Sequence, residues 1–151
     1  MIGVCVLGST GSIGVSTLDV LARHRERFRV VALAAQRDVD GMLRQCLAFR
    51  PDCVAMADEA AAAELAARLR VAAPEVRVLA GSDGVIEVAG LDAADYVMAA
   101  IVGAAGLLPT LAAVRRGKRI LLANKEALVV AGQVFMDAAR ASGAEILPID
   151  S

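Results

Sequence analysis

At 151 residues the chain is one domain's length, enough to bury a real core. Hydrophobic residues make up 58% and charged residues 22%, which excludes disorder by composition. Aromatics at 3% and a net charge of −1 exclude base stacking and an electrostatic footprint for nucleic acid or an acidic membrane surface. In chain order, an apolar strand is expected over 2–7, then a glycine-rich turn and a helix over 12–24. A strand over 29–35 leads to a helix over 39–49, stopped by Pro51. Next come a strand over 53–56 and a helix over 58–71 that opens on an acidic cap and runs to Pro74. Strands over 76–80, 96–100, 119–123 and 146–149 alternate with helices over 82–89, 106–116 and 125–141. Gly117 and Gly143 end the last two helices, and Asn124 caps the final one.

Strands that are apolar throughout and alternate with helices are parallel strands covered on both faces. The expected fold is α/β: a Rossmann-like, doubly wound, mostly parallel sheet with helices on both faces. Ligands bind such sheets at the carboxyl ends of the strands, beside the point where strand order reverses. The stretch 96–114 carries no charge, but Gly103, Gly106, Pro109 and Thr110 divide it into strand, turn and helix rather than a membrane span. Cys5, Cys46 and Cys53 lack metal-type spacing and read as reduced, buried thiols, as fits a cytosolic protein. The first apolar run is too short, and lacks the basic leader, for a signal peptide.

The segment Gly8-Ser-Thr-Gly11-Ser-Ile-Gly14 joins the first strand to the first helix. Gly8 permits a tight turn, Gly11 lets a pyrophosphate approach the backbone, and Gly14 lets the helix pack against the strand. The helix N-terminus offers free N–H groups and a positive dipole end to phosphate. Ser9, Thr10 and Ser12 add hydroxyl donors. The spacing is G-x-x-G-x-x-G, and its position between strand and helix points to a dinucleotide. The second strand ends in Gln36-Arg37-Asp38. Arg37 can pair with the 2′-phosphate of NADP through its guanidinium fork, which favours NADP, or can be a solvated loop charge. Asp38 can cap the next helix or hold the ribose of NAD.

A second turn, Asn124-Lys125-Glu126, leaves a strand at the same end of the sheet. Lys118 and Lys125 are the only lysines among 16 basic residues, so Lys125 points to a need for a compact ammonium beside a substrate hydroxyl or phosphate. Glu126 can accept from the cofactor or simply favour the helix N-terminus. His24, among Arg23, Arg25 and Arg27, reads as a surface residue. Asp150 is a lone carboxylate past the last strand, able to ligate a hard divalent ion or to cap a turn.

These motifs, with Val97-Met-Ala-Ala-Ile-Val-Gly-Ala-Ala-Gly-Leu-Leu-Pro-Thr-Leu-Ala-Ala113 and Leu147-Pro-Ile-Asp-Ser151, resemble the 1-deoxy-D-xylulose 5-phosphate reductoisomerases along the whole chain. The resemblance is to that family's N-terminal NADPH-binding domain, over 1–149, with 150–151 the first residues of a catalytic, metal-binding domain. It implies conversion of 1-deoxy-D-xylulose 5-phosphate to 2-C-methyl-D-erythritol 4-phosphate in non-mevalonate isoprenoid synthesis. NADPH and a divalent metal, Mg or Mn, are the implied cofactors, and the full-length enzyme is implied to be a cytoplasmic homodimer. Thr10, Gly11, Ser12 and Ile13 match the cofactor-phosphate loop. Gln36, Arg37 and Asp38 stand where the family commonly has Gly, a basic residue and Asn, so only the basic position is kept. Asn124 and Glu126 match cofactor positions, Lys125 a substrate position, Asp150 a metal ligand and Ser151 a substrate contact. Lys125 and Asp150 are the expected catalytic residues, and the chain alone is expected to be inactive.

Two other readings compete. A different NADP-dependent dehydrogenase, such as a semialdehyde dehydrogenase, needs a nucleophilic Cys at a strand's carboxyl end. A non-enzymatic NADP-binding module needs neither Lys125 nor Asp150.

Overall fold

The computed structural model describes residues 1–149, apart from the side chain of Lys125. Seven strands and six helices alternate: β1 Ile2–Leu7, α1 Ser12–Ala22, β2 Phe28–Ala35, α2 Val39–Phe49, β3 Cys53–Met56, α3 Glu59–Ala72, β4 Arg77–Ala80, α4 Gly81–Ala89, β5 Tyr96–Ala99, α5 Leu107–Arg115, β6 Arg119–Leu122, α6 Lys125–Ser142 and β7 Glu145–Pro148. A short 3₁₀ turn, Ala104–Gly106, precedes α5. The strands form one sheet in the order β4-β3-β2-β1-β5-β6-β7. Every pairing is parallel, so the expected mostly parallel sheet is wholly so.

Alternation along each strand divides the apolar residues between two cores. Val4, Val6, Leu33 and Val54 face Leu18 of α1, Met42 of α2 and Leu65 of α3. Cys5, Leu7, Ala34 and Val97 face Val88 of α4, Val114 of α5 and Phe135 of α6. The strands of the second core carry alanine at Ala32, Ala34, Ala55 and Ala99, all essentially inaccessible, which lets α4 and α5 lie close on the sheet. α1, α2 and α3 serve only the β4-to-β1 half of the first face. Among the described residues no helix covers that face over β6 and β7, where Leu121 is half-buried and Leu147 is 41% exposed.

Two helices depart from the expected outline. α1 stops at Ala22, and Arg23 and His24 close tighter turns by donating to Val20 O and Leu21 O, each at 3.1 Å. α6 is broken at Ala131, whose φ of −129° and ψ of 25° are not helical. The break falls beside Gly132, where no Cβ holds the backbone. No helix among the described residues is long and apolar enough to cross a membrane.

Candidate functional site

Strand order reverses at β1, which pairs with β2 on one side and β5 on the other. Leu7, the last residue of β1, lies level with Ala34 and Ala99. Gly8 therefore leaves the sheet at the carboxyl-end crevice where doubly wound folds take ligands.

The glycine turn is built from the backbone. Gly8 and Ser9 both donate to Ala34 O, at 2.8 and 2.9 Å, and Gly11 donates to Gly8 O at 3.2 Å. Gly8 has φ +78°, and a Cβ there would meet Ala100 O at 2.7 Å. At Gly14 a Cβ would run into Gly8 O and come within 2.6 Å of Ser9 Cα. Gly14 thus seats the first turn of α1 on the glycine turn itself, rather than on the strand as the spacing predicts. Gly11 is the exposed N-cap of α1, without a side-chain cap, and no acidic residue occupies the first turn. The first helical N–H groups, those of Ser12, Ile13 and Gly14, are left for an outside acceptor, at the positive end of the helix dipole.

The hydroxyls of this turn are not equivalent. Ser12 is exposed and Thr10 half-buried, whereas Ser9 is fully buried. The expectation that Ser9 donates to a ligand fails, because its side chain points into the protein. Ile13 is partly buried against the first core.

At the end of β2, Gln36, Arg37 and Asp38 are all exposed. Asp38 is the N-cap of α2, with Oδ1 accepting from Gly41 N at 2.9 Å. Of the two roles open to it from sequence, the cap is the one occupied. The Gln36 carbonyl accepts from Asp58 N at 2.9 Å, which ties this loop to the one leading into α3.

At the end of β6, Asn124 caps α6, accepting at Oδ1 from Glu126 N at 3.0 Å. Its Nδ2 donates to Ile101 O at 3.4 Å, joining this turn to the loop between β5 and α5. Glu126 is exposed in the first turn, where a carboxylate suits the helix dipole. Lys125 begins α6, and its side chain, like Asp150 and Ser151, lies outside the described residues. Among the described residues no three metal-binding side chains come together.

Sequence reasoning passed over the β5–α5 loop as a wall of the crevice. Its Ala100 carbonyl abuts Gly8, its Ile101 carbonyl holds Asn124, and Gly103 adopts φ +74° and ψ −166° with open space beside it. Glycines following a strand were the available signal, masked by the uncharged run around them. The cysteines lie away from the crevice. Cys5 is inside β1 with Sγ against Val88 O at 3.6 Å, Cys46 is on α2, and Cys53 opens β3. All three are buried, free thiols, and burial pushes those of Cys5 and Cys46 up to about 12. None has the exposed, electropositive setting of a nucleophile.

The family model for 1-deoxy-D-xylulose 5-phosphate reductoisomerase matches residues 4–132. The chain belongs to that family. The reductoisomerase of Nitrosococcus oceani is 62% identical over 151 residues, all of this chain and 38% of the relative. That of Methylococcus capsulatus is 59% identical over 152 residues, covering 39% of its length. The chain thus spans under two-fifths of these reductoisomerases. A DOX-P reductoisomerase solved in complex with magnesium superposes with a TM-score of 0.95 at 45% identity, covering 100% of this chain and 38% of that one. The Zymomonas mobilis reductoisomerase in complex with NADPH gives 0.94 at 43% identity, covering 99% of this chain and 39% of that one. A putative homoserine dehydrogenase from Archaeoglobus fulgidus, at 22% identity and a TM-score of 0.62, shares the fold.

Proposed function

We propose that the chain is the NADPH-binding domain, over 1–149, of a reductoisomerase that converts 1-deoxy-D-xylulose 5-phosphate to 2-C-methyl-D-erythritol 4-phosphate. The carrying observation is the uncapped start of α1 behind Gly8, at the strand-order reversal, in a chain of this family. NADPH supplies hydride when bound. The residues present fit it: Gly11 leaves room for a phosphate, and Thr10, Ser12, Ile13 and the backbone of Gly8 and Gly14 surround the anion position. Arg37 takes the 2′-phosphate, with Gln36 and Asp38 lining the ribose. Asp38 accepts Gly41 N at Oδ1 and so holds this loop in shape. Asn124 and Glu126 hold the nicotinamide end, because their turn is pinned to the β5–α5 loop across the crevice. Lys125 and Ser151 bind the phosphorylated sugar.

Magnesium or manganese enters this reading through Asp150. The described residues gather no donor set for such an ion, so they seat the hydride donor and do not by themselves hold the metal. The chain alone is accordingly inactive, the whole enzyme being a cytoplasmic homodimer whose catalytic domain begins at 150–151.

Cofactor titration tests the assignment. The chain binds NADPH more tightly than NADH, and Arg37→Ala removes that preference at a cost of about 1.5–3 kcal/mol, the worth of a charge-assisted contact. Equal affinities of the unaltered chain for the two nucleotides would overturn the role of Arg37. Absence of binding to either would overturn the proposal.

A further inference from the structure

The glycine turn is fastened by a residue that no motif marks. Gln45, on α2, donates from Nε2 to Ser9 O at 2.9 Å across 36 residues of sequence. Its neighbours on the buried face of α2 are Val39, Met42 and Cys46, so an amide stands where an apolar side chain would fill the space without desolvating a polar group. Ser9 is itself fully buried, with its N–H on Ala34 O. Ser9 Oγ and Gln45 Oε1 are both buried without a partner among the described residues, a donor and an acceptor on the same two side chains. Polar groups on both sides of one packing contact mark it as specific.

The consequence follows from the planarity of the peptide. In a trans unit the C=O and the next N–H point in opposite directions. Holding Ser9 C=O towards α2 turns the Thr10 N–H away from α2, and that N–H has no backbone acceptor among the described residues. We propose that Gln45 is a positioning residue: by pinning the Ser9 carbonyl it aims the Thr10 N–H at the pyrophosphate of the dinucleotide. This rests on the NADPH reading of the turn given above. The Arg37 loop precedes the same helix, yet Gln45 acts on the part of the cofactor that NADPH and NADH share.

The test is fluorescence titration of the 151-residue chain with NADPH and with NADH, in the unaltered sequence and in Gln45→Met. The substitution nearly preserves side-chain volume and removes the donor. The expected result is a loss of about tenfold in affinity for both nucleotides, the scale of one hydrogen bond, with their ratio unchanged. A merely structural role for Gln45 would disturb α2 with its N-terminal loop and erode the NADPH preference as well. Unchanged affinity in Gln45→Met, or loss confined to NADPH, overturns the inference and leaves the NADPH reading intact. Failure of the unaltered chain to bind either nucleotide overturns that reading and this inference together. If Gln45→Met does not fold, Gln45→Leu serves in its place: it removes the donor without adding charge, and the same loss of about tenfold is expected.

Discussion

Lys118 shows how little a residue's type says about its work. It stands just before β6, at the opposite end of that strand from Asn124, and only 8% of it is exposed. Its ammonium donates to Leu91 O at 2.7 Å and to Ala94 O, two carbonyls of the loop between α4 and β5. Burial holds its pKa below the usual lysine range, partly offset by Asp92 and Asp95. The long side chain crosses to a neighbouring connection, where it is the donor to Ala94 O and shares Leu91 O with the Ala94 N–H. Lys118→Met keeps the apolar stem and removes the donor, so about 1–3 kcal/mol of stability should be lost in urea unfolding, with NADPH affinity unchanged. A loss below about 0.5 kcal/mol would show that water reaches those carbonyls in its place.

At the scale of elements, the caps decide where helices start. Asp38, Asp58 and Asn124 each accept a backbone N–H from the first turn of the following helix, at 2.9, 3.0 and 3.0 Å. α1 starts on an uncapped glycine, as does α5 behind its 3₁₀ turn, but only α1 opens directly at the glycine turn after β1. A side-chain oxygen there would occupy the donors that a phosphate needs. α3 lies away from the crevice, and its run of alanines between Glu59 and Leu65 buries little side chain, so it leans on its cap. Asp58→Ala is therefore expected to cost about 0.5–2 kcal/mol in chemical denaturation. The same substitution should leave cofactor titration curves superimposable on those of the unaltered chain. A matching loss of NADPH affinity would mean that the Gln36–Asp58 backbone contact transmits α3 into the site.

For the whole molecule, one sheet with a core on each face explains why the thiols are quiet. Cys46 belongs to the first core and Cys5 and Cys53 to the second. All three pKa values are raised, chiefly by desolvation. At pH 8 an aromatic disulfide reagent should label the native chain slowly and release three equivalents once the chain is unfolded, matching its three cysteines. Rapid native labelling of one equivalent would show that one face of the sheet opens locally. Part of the exposed apolar surface lies on α6 and β7. Val129 is 85% exposed on α6, and Leu147 lies on the uncovered face of β7. Parallel strands are ordinarily covered on both faces, and among the described residues no helix covers the β6–β7 half of the first face.

The sequence by itself determined the order and type of every strand and helix, since apolar strands, capped helices and glycine stops are local signals. It also marked Gly8, Gly11 and Gly14: at Gly8 and Gly14 a Cβ would collide with backbone, whereas at Gly11 the glycine leaves the space in front of the helix start open. Tertiary structure alone decided which way side chains point. Ser9 and Ser12 are alike in sequence, but Ser9 turns inward under α2 while Ser12 faces out at the start of α1. Only packing brought Gln45 to Ser9 and Asn124 to Ile101, pairs separated by 36 and 23 residues. Such contacts leave no periodic trace in the chain, because each depends on how helices and loops settle across a sheet whose strand order is not the order of the sequence.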